Sequence, residues 1–367
     1  MSMELQEGLY ASRSKYENII TLAKSGVYLY GAGFIGRWAV SYLESIGIPI
    51  FGFVDSDQNK WGKLIKGKQV YSPSDNCIIQ AKVIIITTRH AVKPVEKLLA
   101  HLQATTMSID AMVVHRASED GSIEEVKSLL AHDQLSSLTF DAVLSSMLSG
   151  TTRPLMPFAN NRPFFDRFGF FNRDQEIFVD AGAYVGDSLE RFIWSVNGVF
   201  RQVHVFEPGV AQFGALKKRL CRLSQEWALK PESIYLINKG LSFEDKKILV
   251  ANPDNIIQMT MTDIDVSLDD GNASTIELTS LDSYFDGRRY TLLKVDVEGC
   301  EAELLQGAQQ SIATHRPRIA LSVYHYPTDI FELPLQLKKI NQDYMFYLGH
   351  HSSQLMDTVL YASDKDD

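Results

Sequence analysis

Residues 176–193 read EIFVDAGAYVGDSLERFI, and this stretch decides the fold of the half of the chain that contains it. Three apolar positions, Ile177–Val179, run into Asp180, a short glycine-containing turn follows, and DSLERFI has helical spacing. A strand that feeds a helix through a tight turn is the opening unit of an open parallel sheet. Working outward, VHVFEP (203–208) and SIYLINKG (233–240) read as the next two strands. TLLKVDVEG (291–299) reads as a fourth, followed by a helix from about Cys300 to Ala313 and the strand RIALSVYHY (318–326). A helix near Leu333–Ile340 and two short strands, DYMFYL and DTVLYA, complete the pattern, the last two near enough to pair antiparallel. Between them residues 251–275 are polar.

The N-terminal half repeats the theme. Residues 4–24 have the spacing of an amphipathic helix, and VYLYGAGFIGRWAVSYLESIGIPIFGFVDSD (27–57) is strand, glycine turn, helix, strand. Val83–Thr87 and Met107–Ile109 add strands, with a helix at Val92–Leu102 between them. The expected division is a Rossmann-like domain over 1–115, a helical connector and aromatic linker over 116–172, and a second α/β domain over 173–367. The linker TTRPLMPFANNRPFFDRFGFFNRD (151–174) is expected to lay its aromatics on the second domain, as a roof over its site or as plain packing. Two mostly parallel three-layer α/β domains are the predicted fold.

Composition narrows the function. The net charge of -9 and a pI near 5.5 argue against nucleic acid as the main partner. The cluster Lys217, Lys218, Arg219 and Arg222 is better read as a solvated helix face. Three scattered cysteines, Cys77, Cys221 and Cys300, fit neither a disulfide framework nor a zinc site. With no signal-peptide pattern and no apolar run long enough to span a bilayer, a soluble cytoplasmic protein is expected.

Gly31-Ala32-Gly33-Phe34-Ile35-Gly36 is a full GxGxxG, and Asp55 ends the next strand at the spacing of a ribose contact. Such a loop admits a pyrophosphate at the helix N-terminus, or serves only close strand–helix packing. The continuation over 55–75 is unlike nicotinamide dehydrogenases and resembles the small N-terminal domains of sugar acyltransferases and polysaccharide enzymes. That module is therefore expected to bind a nucleotide or nucleotide-sugar, or to act in homo-oligomer formation and acceptor presentation.

The second loop has a different chemistry. Asp180, Gly182, Ala183, Tyr184, Gly186 and Asp187 form a turn with an acidic strand end and fewer glycines than a pyrophosphate loop. This suits S-adenosylmethionine (SAM), which offers an ammonium, a carboxylate, a sulfonium and an adenosine. Asp180 would face the cationic end, and helix-start amides the carboxylate. Glu207 would take the ribose hydroxyls, and Asn238 and Gly240 would flank the adenine. Asp187 doubles as a helix-cap candidate. Asp296 and Glu298, two apart and so on one face if still in the strand, would approach the transferred methyl. Glu301 and Glu303 are adequately explained by the helix dipole. His325, after Tyr324 at the next strand end, is the candidate general base. A divalent metal joined by His350 and His351 is conceivable, but no tight ligand spacing favours it.

In order, FVDAGAYVGDS, VHVFEP, LTSLDSYF and LLKVDVEGCEAELLQGA resemble the FkbM family of SAM-dependent methyltransferases, across roughly residues 173–362. The tail SVYHYPTDIFELP, YLGHHSS and TVLYA is similar to a subset of it. The resemblance implies a seven-stranded class I methyltransferase sheet and O-methylation of a sugar, glycan or other hydroxyl-bearing metabolite, as in polysaccharide biosynthesis. The competing expectations are an NAD-dependent sugar oxidoreductase using the Gly31 loop and a non-catalytic nucleotide-sugar-binding protein.

Overall fold

The computed structural model describes residues 1–160, 163–165, 167–169, 173–250 and 274–364. Nearly all of the polar stretch 251–275, and part of the aromatic linker, lie outside these residues. The chain divides into two compact units. One comprises Met1–Ala159, Tyr326–Phe331 and His350–Asp357; the other comprises Asn160–His325, Glu332–Gly349 and Thr358–Asp367.

In the first unit the order is α1 (Met3–Ala23), β1 (Val27–Tyr30), α2 (Phe34–Ser45), β2 (Ile50–Val54), β3 (Leu64–Ile65), β4 (Lys68–Tyr71) and α3 (Asn76–Ile79). Then come β5 (Val83–Ile86), α4 (Val92–Leu99), β6 (Thr105–Ser108), α5 (Ile109–Asp120), α6 (Ser122–Leu130) and α7 (Gln134–Ser149). The sheet order is β3-β4-β2-β1-β5-β6, parallel except for the β3–β4 pair. Every residue of β5 is buried, as expected of a parallel strand covered on both faces. α2 buries Gly36, Ala39, Val40 and Leu43 against this sheet. The expected boundary at residue 115 falls inside α5, and the compact unit continues through α6 and α7. These helices bury Ile123, Val126, Leu130, Phe140 and Leu144, so they are part of the unit and not an outlying connector.

In the second unit β7 (Ile177–Ala181), α8 (Asp187–Ser195), β8 (Gln202–Phe206), α9 (Val210–Glu226) and β9 (Ile234–Ile237) come first. A small sheet follows, built from β10 (Gly240–Leu241), β11 (Lys246–Val250) and β12 (Ser274–Thr279). After it run α10 (Leu281–Phe285), β13 (Leu292–Val295), α11 (Glu301–Gly307), α12 (Gln309–His315), β14 (Arg318–Ser322), α13 (Asp329–Ile340), β15 (Met345–His350) and β16 (Thr358–Ser363). The main sheet is ordered β15-β16-β14-β13-β7-β8-β9, with β16 antiparallel to β14. β7 is parallel to both β8 and β13, so the chain winds outward from β7 one way and later resumes on its other side. That reversal is the topological switch point, where open α/β sheets leave a ligand crevice.

Phe164 and Phe165 of the aromatic linker join the core of this unit with Phe178 and Phe192, and Phe168 packs against it. The single helix expected from Cys300 to Ala313 is instead two, broken at Ala308. The reason is a local cap: the Asp282 carboxylate accepts the backbone N–H groups of Gln310 and Ser311, satisfying donors that a new helix start leaves open.

Two glycines of the Gly31 loop have opposite surroundings. A β-carbon at residue 36 would lie 2.0 Å from Gly31 O, whereas one at residue 33 would meet nothing within 4 Å. Gly36→Ala should therefore lose about 1–3 kcal/mol to overpacking, more than the roughly 1 kcal/mol that alanine gains in a helix. Gly33→Ala should stay within about 0.5 kcal/mol of the parent. Urea unfolding of the two variants measures both; equal losses would contradict this reading of the loop.

Candidate active site

β13 is fully buried and yet carries a lysine. An ammonium removed from water must be paired and hydrogen-bonded. Lys294 Nζ lies 3.3 Å from Asp180 Oδ1 and donates to the carbonyls of Ala181, at 3.2 Å, and Gly182, at 2.5 Å. Burial opposes its charge, but Asp180 and Asp296 outweigh burial and raise its pKa, so it is an ammonium. Asp180, with no exposed surface, also accepts from Ser188 Oγ at 2.6 Å. Its carboxylate is thus committed inside the fold. The expectation that Asp180 meets the cationic end of a ligand directly is corrected: it anchors Lys294 and the start of α8.

The loop after β7 is held just as firmly. Gly182 has φ +76°, and a β-carbon there would lie 1.9 Å from Asp296 O, so β7 and β13 close on each other only over a glycine. The Gly182 and Ala183 amides donate to Phe206 O, the Gly186 amide to Ala183 O, and the Tyr184 amide to Glu207 Oε2. These loop amides are therefore committed within the fold; the first-turn amides of α8, the helix-start groups expected to meet a carboxylate, are the ones left by helix geometry. Tyr184 adopts φ +49° and is exposed. Asp187 is exposed and is the first residue of α8, not its cap, which is Gly186 without a side-chain bond.

At the end of β8, Glu207 is buried, with Oε2 on Tyr184 N at 2.8 Å and Oε1 on Gly209 N at 2.7 Å. Burial pushes its carboxyl up to about 7, against the pull of those two amides. Asn238 is exposed, and its side-chain amide donates to the carbonyls of Glu207 and Pro208, tying the ends of β8 and β9. Gly240 is buried in β10, where a β-carbon would meet the Leu278 side chain.

Beyond β13 the chain does not continue as a strand. Asp296 follows its last residue, and Glu298 and Gly299 have φ of +55° and +94°. The alternation argument for Asp296 and Glu298 therefore fails, yet the tight turn brings both to His325. His325 Nε2 is 3.6 Å from Asp296 Oδ1 and 3.6 Å from Glu298 Oε2, while Nδ1 is 3.0 Å from Glu301 Oε1. Tyr324 Oη donates to Asp296 Oδ1 at 3.2 Å. Burial alone would lower the imidazole pKa; Glu301, Asp296 and Glu298 reverse this and push it up to about 10. The surrounding carboxylates thus favour the protonated ring and oppose the role of free general base expected for His325.

Sequence reasoning missed Lys294 and Glu301. Lys294 announces itself as a charge inside the apolar run LLKV. Glu301, assigned to the helix dipole, is only 1% exposed; it contacts His325 and accepts the Val297 amide at 2.9 Å. His350 and His351 lie in the first compact unit and are not among the residues whose ligand atoms group with His325. His350 is buried, which lowers its pKa to about 4.

In the first unit the ribose reading of Asp55 is corrected too. Its carboxylate accepts Ala32 N, Asp57 N and Lys60 Nζ, each at 2.9 Å. Despite burial, these bonds hold its pKa below the usual range. Asp55 binds the glycine loop itself.

This sheet order and switch-point crevice define a class I methyltransferase fold. The sequence profile of the methyltransferase FkbM domain matches residues 180–349, so this stretch of the chain carries a methyltransferase FkbM domain. Among solved structures it is similar to methyltransferase FkbM from Methylobacillus flagellatus, at 20% identity and a TM-score of 0.58 over 98% of both chains. It is also similar to a putative methyltransferase from Streptococcus mutans solved with S-adenosylhomocysteine, at 12% identity and a TM-score of 0.31 over 52% of this chain and 90% of that one. An rRNA methylase from Streptococcus thermophilus gives 16% identity and a TM-score of 0.33 over 53% and 88%. No curated protein sequence matches the chain. The whole-length likeness establishes the fold, and no helix among the described residues is long and apolar enough to cross a membrane.

Lys294→Met should leave Asp180 as an uncompensated buried charge and cost about 3–5 kcal/mol. Adding Asp180→Asn should recover part of this, giving a double variant less destabilised than the sum of the singles. A double-mutant cycle by urea unfolding is the check; strict additivity would show that the pair is not coupled.

Proposed function

We propose that this protein transfers a methyl group from SAM to a hydroxyl oxygen of a sugar, a glycan or a related metabolite, using the crevice at the β7–β13 switch point. The observation that carries the reading is the convergence of the Gly182 loop, Glu207 and the Asp296–Glu298–His325 cluster on the carboxyl ends of neighbouring strands. When bound, SAM supplies an electrophilic methyl on a cationic sulfur. The chain's own groups fit it: Glu207 is fixed by two amides and keeps lone pairs for a ribose diol, and Asn238 secures the adjoining strand end. The first turn of α8 offers amides and a positive dipole to the carboxylate.

Asp296 and Glu298 are the acceptor-facing carboxylates, with side chains 23% and 45% exposed against 5% for His325. Glu298 receives the acceptor proton. His325 is a positioning residue that acts on both carboxylates through its charge, at 3.6 Å from each. Alignment of acceptor oxygen, methyl carbon and sulfur accounts for much of the acceleration. The first unit is read as an acceptor-presenting or self-association module, because Asp55 is already used by its own loop. Neither the oxidoreductase nor the sensor reading gains support from that geometry.

Calorimetric titration with SAM tests the site. Binding should weaken as pH falls below the Glu207 pKa of about 7, by up to about tenfold per pH unit, because a proton must leave before the carboxylate can accept both hydroxyls. Glu207→Gln should bind roughly ten- to hundredfold more weakly, the worth of a hydrogen bond to a charged group, and lose that pH dependence. Absence of SAM binding by the folded parent chain would overturn the proposal.

A further inference from the structure

His325 is 6% exposed, and neither of its ring nitrogens makes a hydrogen bond with proper geometry. The Nδ1 approach to Glu301, at 3.0 Å, is close in distance only, and Nε2 is aimed between Asp296 and Glu298 at 3.6 Å from each. A buried polar ring without hydrogen bonds is costly unless something else occupies its lone pair. Asp296, Glu301 and His325 each offer a ligand atom, and these atoms lie within 4.8 Å of one another. Three carboxylates around one imidazole also leave negative charge in excess even when the ring is protonated.

Building on the methyltransferase reading, we propose that Asp296, Glu301 and His325 bind one divalent metal ion beside the transfer site, with Glu298 at its rim. One imidazole nitrogen and two carboxylate oxygens form a mixed donor set. It suits a first-row transition ion such as Mn²⁺, which takes carboxylate oxygens and tolerates an imidazole, better than Ca²⁺, which takes oxygen ligands. The ion takes the place of the ring proton as the positive charge in the nest, since a ligating imidazole must be neutral. Three protein ligands leave coordination positions for the acceptor oxygen, where the ion acts as a Lewis acid. The turn at Glu298 and Gly299 lets residues five apart in sequence, Asp296 and Glu301, face one ring.

The test uses the full chain, stripped with EDTA and titrated with Mn²⁺ by calorimetry and by loss of the free-ion electron paramagnetic resonance signal. S-adenosylhomocysteine binding is measured on the same samples. One Mn²⁺ per chain is expected, with affinity lowered about 10- to 100-fold in Asp296→Asn and in Glu301→Gln and unchanged in Glu303→Gln. Asp296 is partly exposed, so its isosteric variant keeps the test available if Glu301→Gln does not fold. A stripped chain that binds S-adenosylhomocysteine but takes up no Mn²⁺ at about 1 mM, near the weak end of protein metal sites, overturns the metal site and leaves the methyltransferase reading standing. Equal weakening by Glu303→Gln also overturns it. Failure to bind S-adenosylhomocysteine counts against the methyltransferase reading instead.

Discussion

The ammonium of Lys294, buried between β7 and β13, is the constraint on which the rest of the second unit depends. It reaches Asp180 and the carbonyls of Ala181 and Gly182, so one side chain fixes the end of the first strand, the turn after it and the register with the strand across the switch point. Ser188 then fastens α8 to the same carboxylate. Remove the charge, and the glycine turn loses what holds its carbonyls inward. Gly182 completes the arrangement, since only a residue without a β-carbon lets that turn touch Asp296 O.

From this seam the two sides of the crevice follow. Toward β8, the loop amides are consumed by Phe206 O and Glu207, leaving a rigid rim with a carboxylate whose pKa burial raises. Toward β14, Asp296 stands at the seam's edge and meets the carboxylate nest around His325. The β8 side is built from backbone bonds and the β14 side from charges. Preorganised charge of that kind acts without reorganisation cost when a transition state forms.

Much of the fold was legible because parallel strands buried on both faces are written as apolar runs, and strand ends such as IFVD (177–180) stop at turns: β7, β8, β13 and β14 were all visible this way. The order of the strands came from the resemblance and not from periodicity, which cannot see across a sheet. What stayed hidden depends on contacts distant in sequence. The break at Ala308 needs Asp282, and the commitment of Asp180 needs Lys294, more than a hundred residues away. Glu301 looked like a dipole residue because nothing local shows that it faces His325. Asp55 had the right spacing for a ribose but lies where its own loop uses it. Positions were readable, whereas the partner that each carboxylate would take was not.

Hydrogen–deuterium exchange of the full chain with and without S-adenosylhomocysteine tests the central claim most directly, because it reports where the ligand sits without presuming an acceptor. The account predicts slowed exchange at Gly182–Asp187 and Glu207–Gly209, with Gly31–Gly36 unchanged. Protection confined to Gly31–Gly36, or absent from the β7 and β8 ends while the ligand is bound, would contradict it.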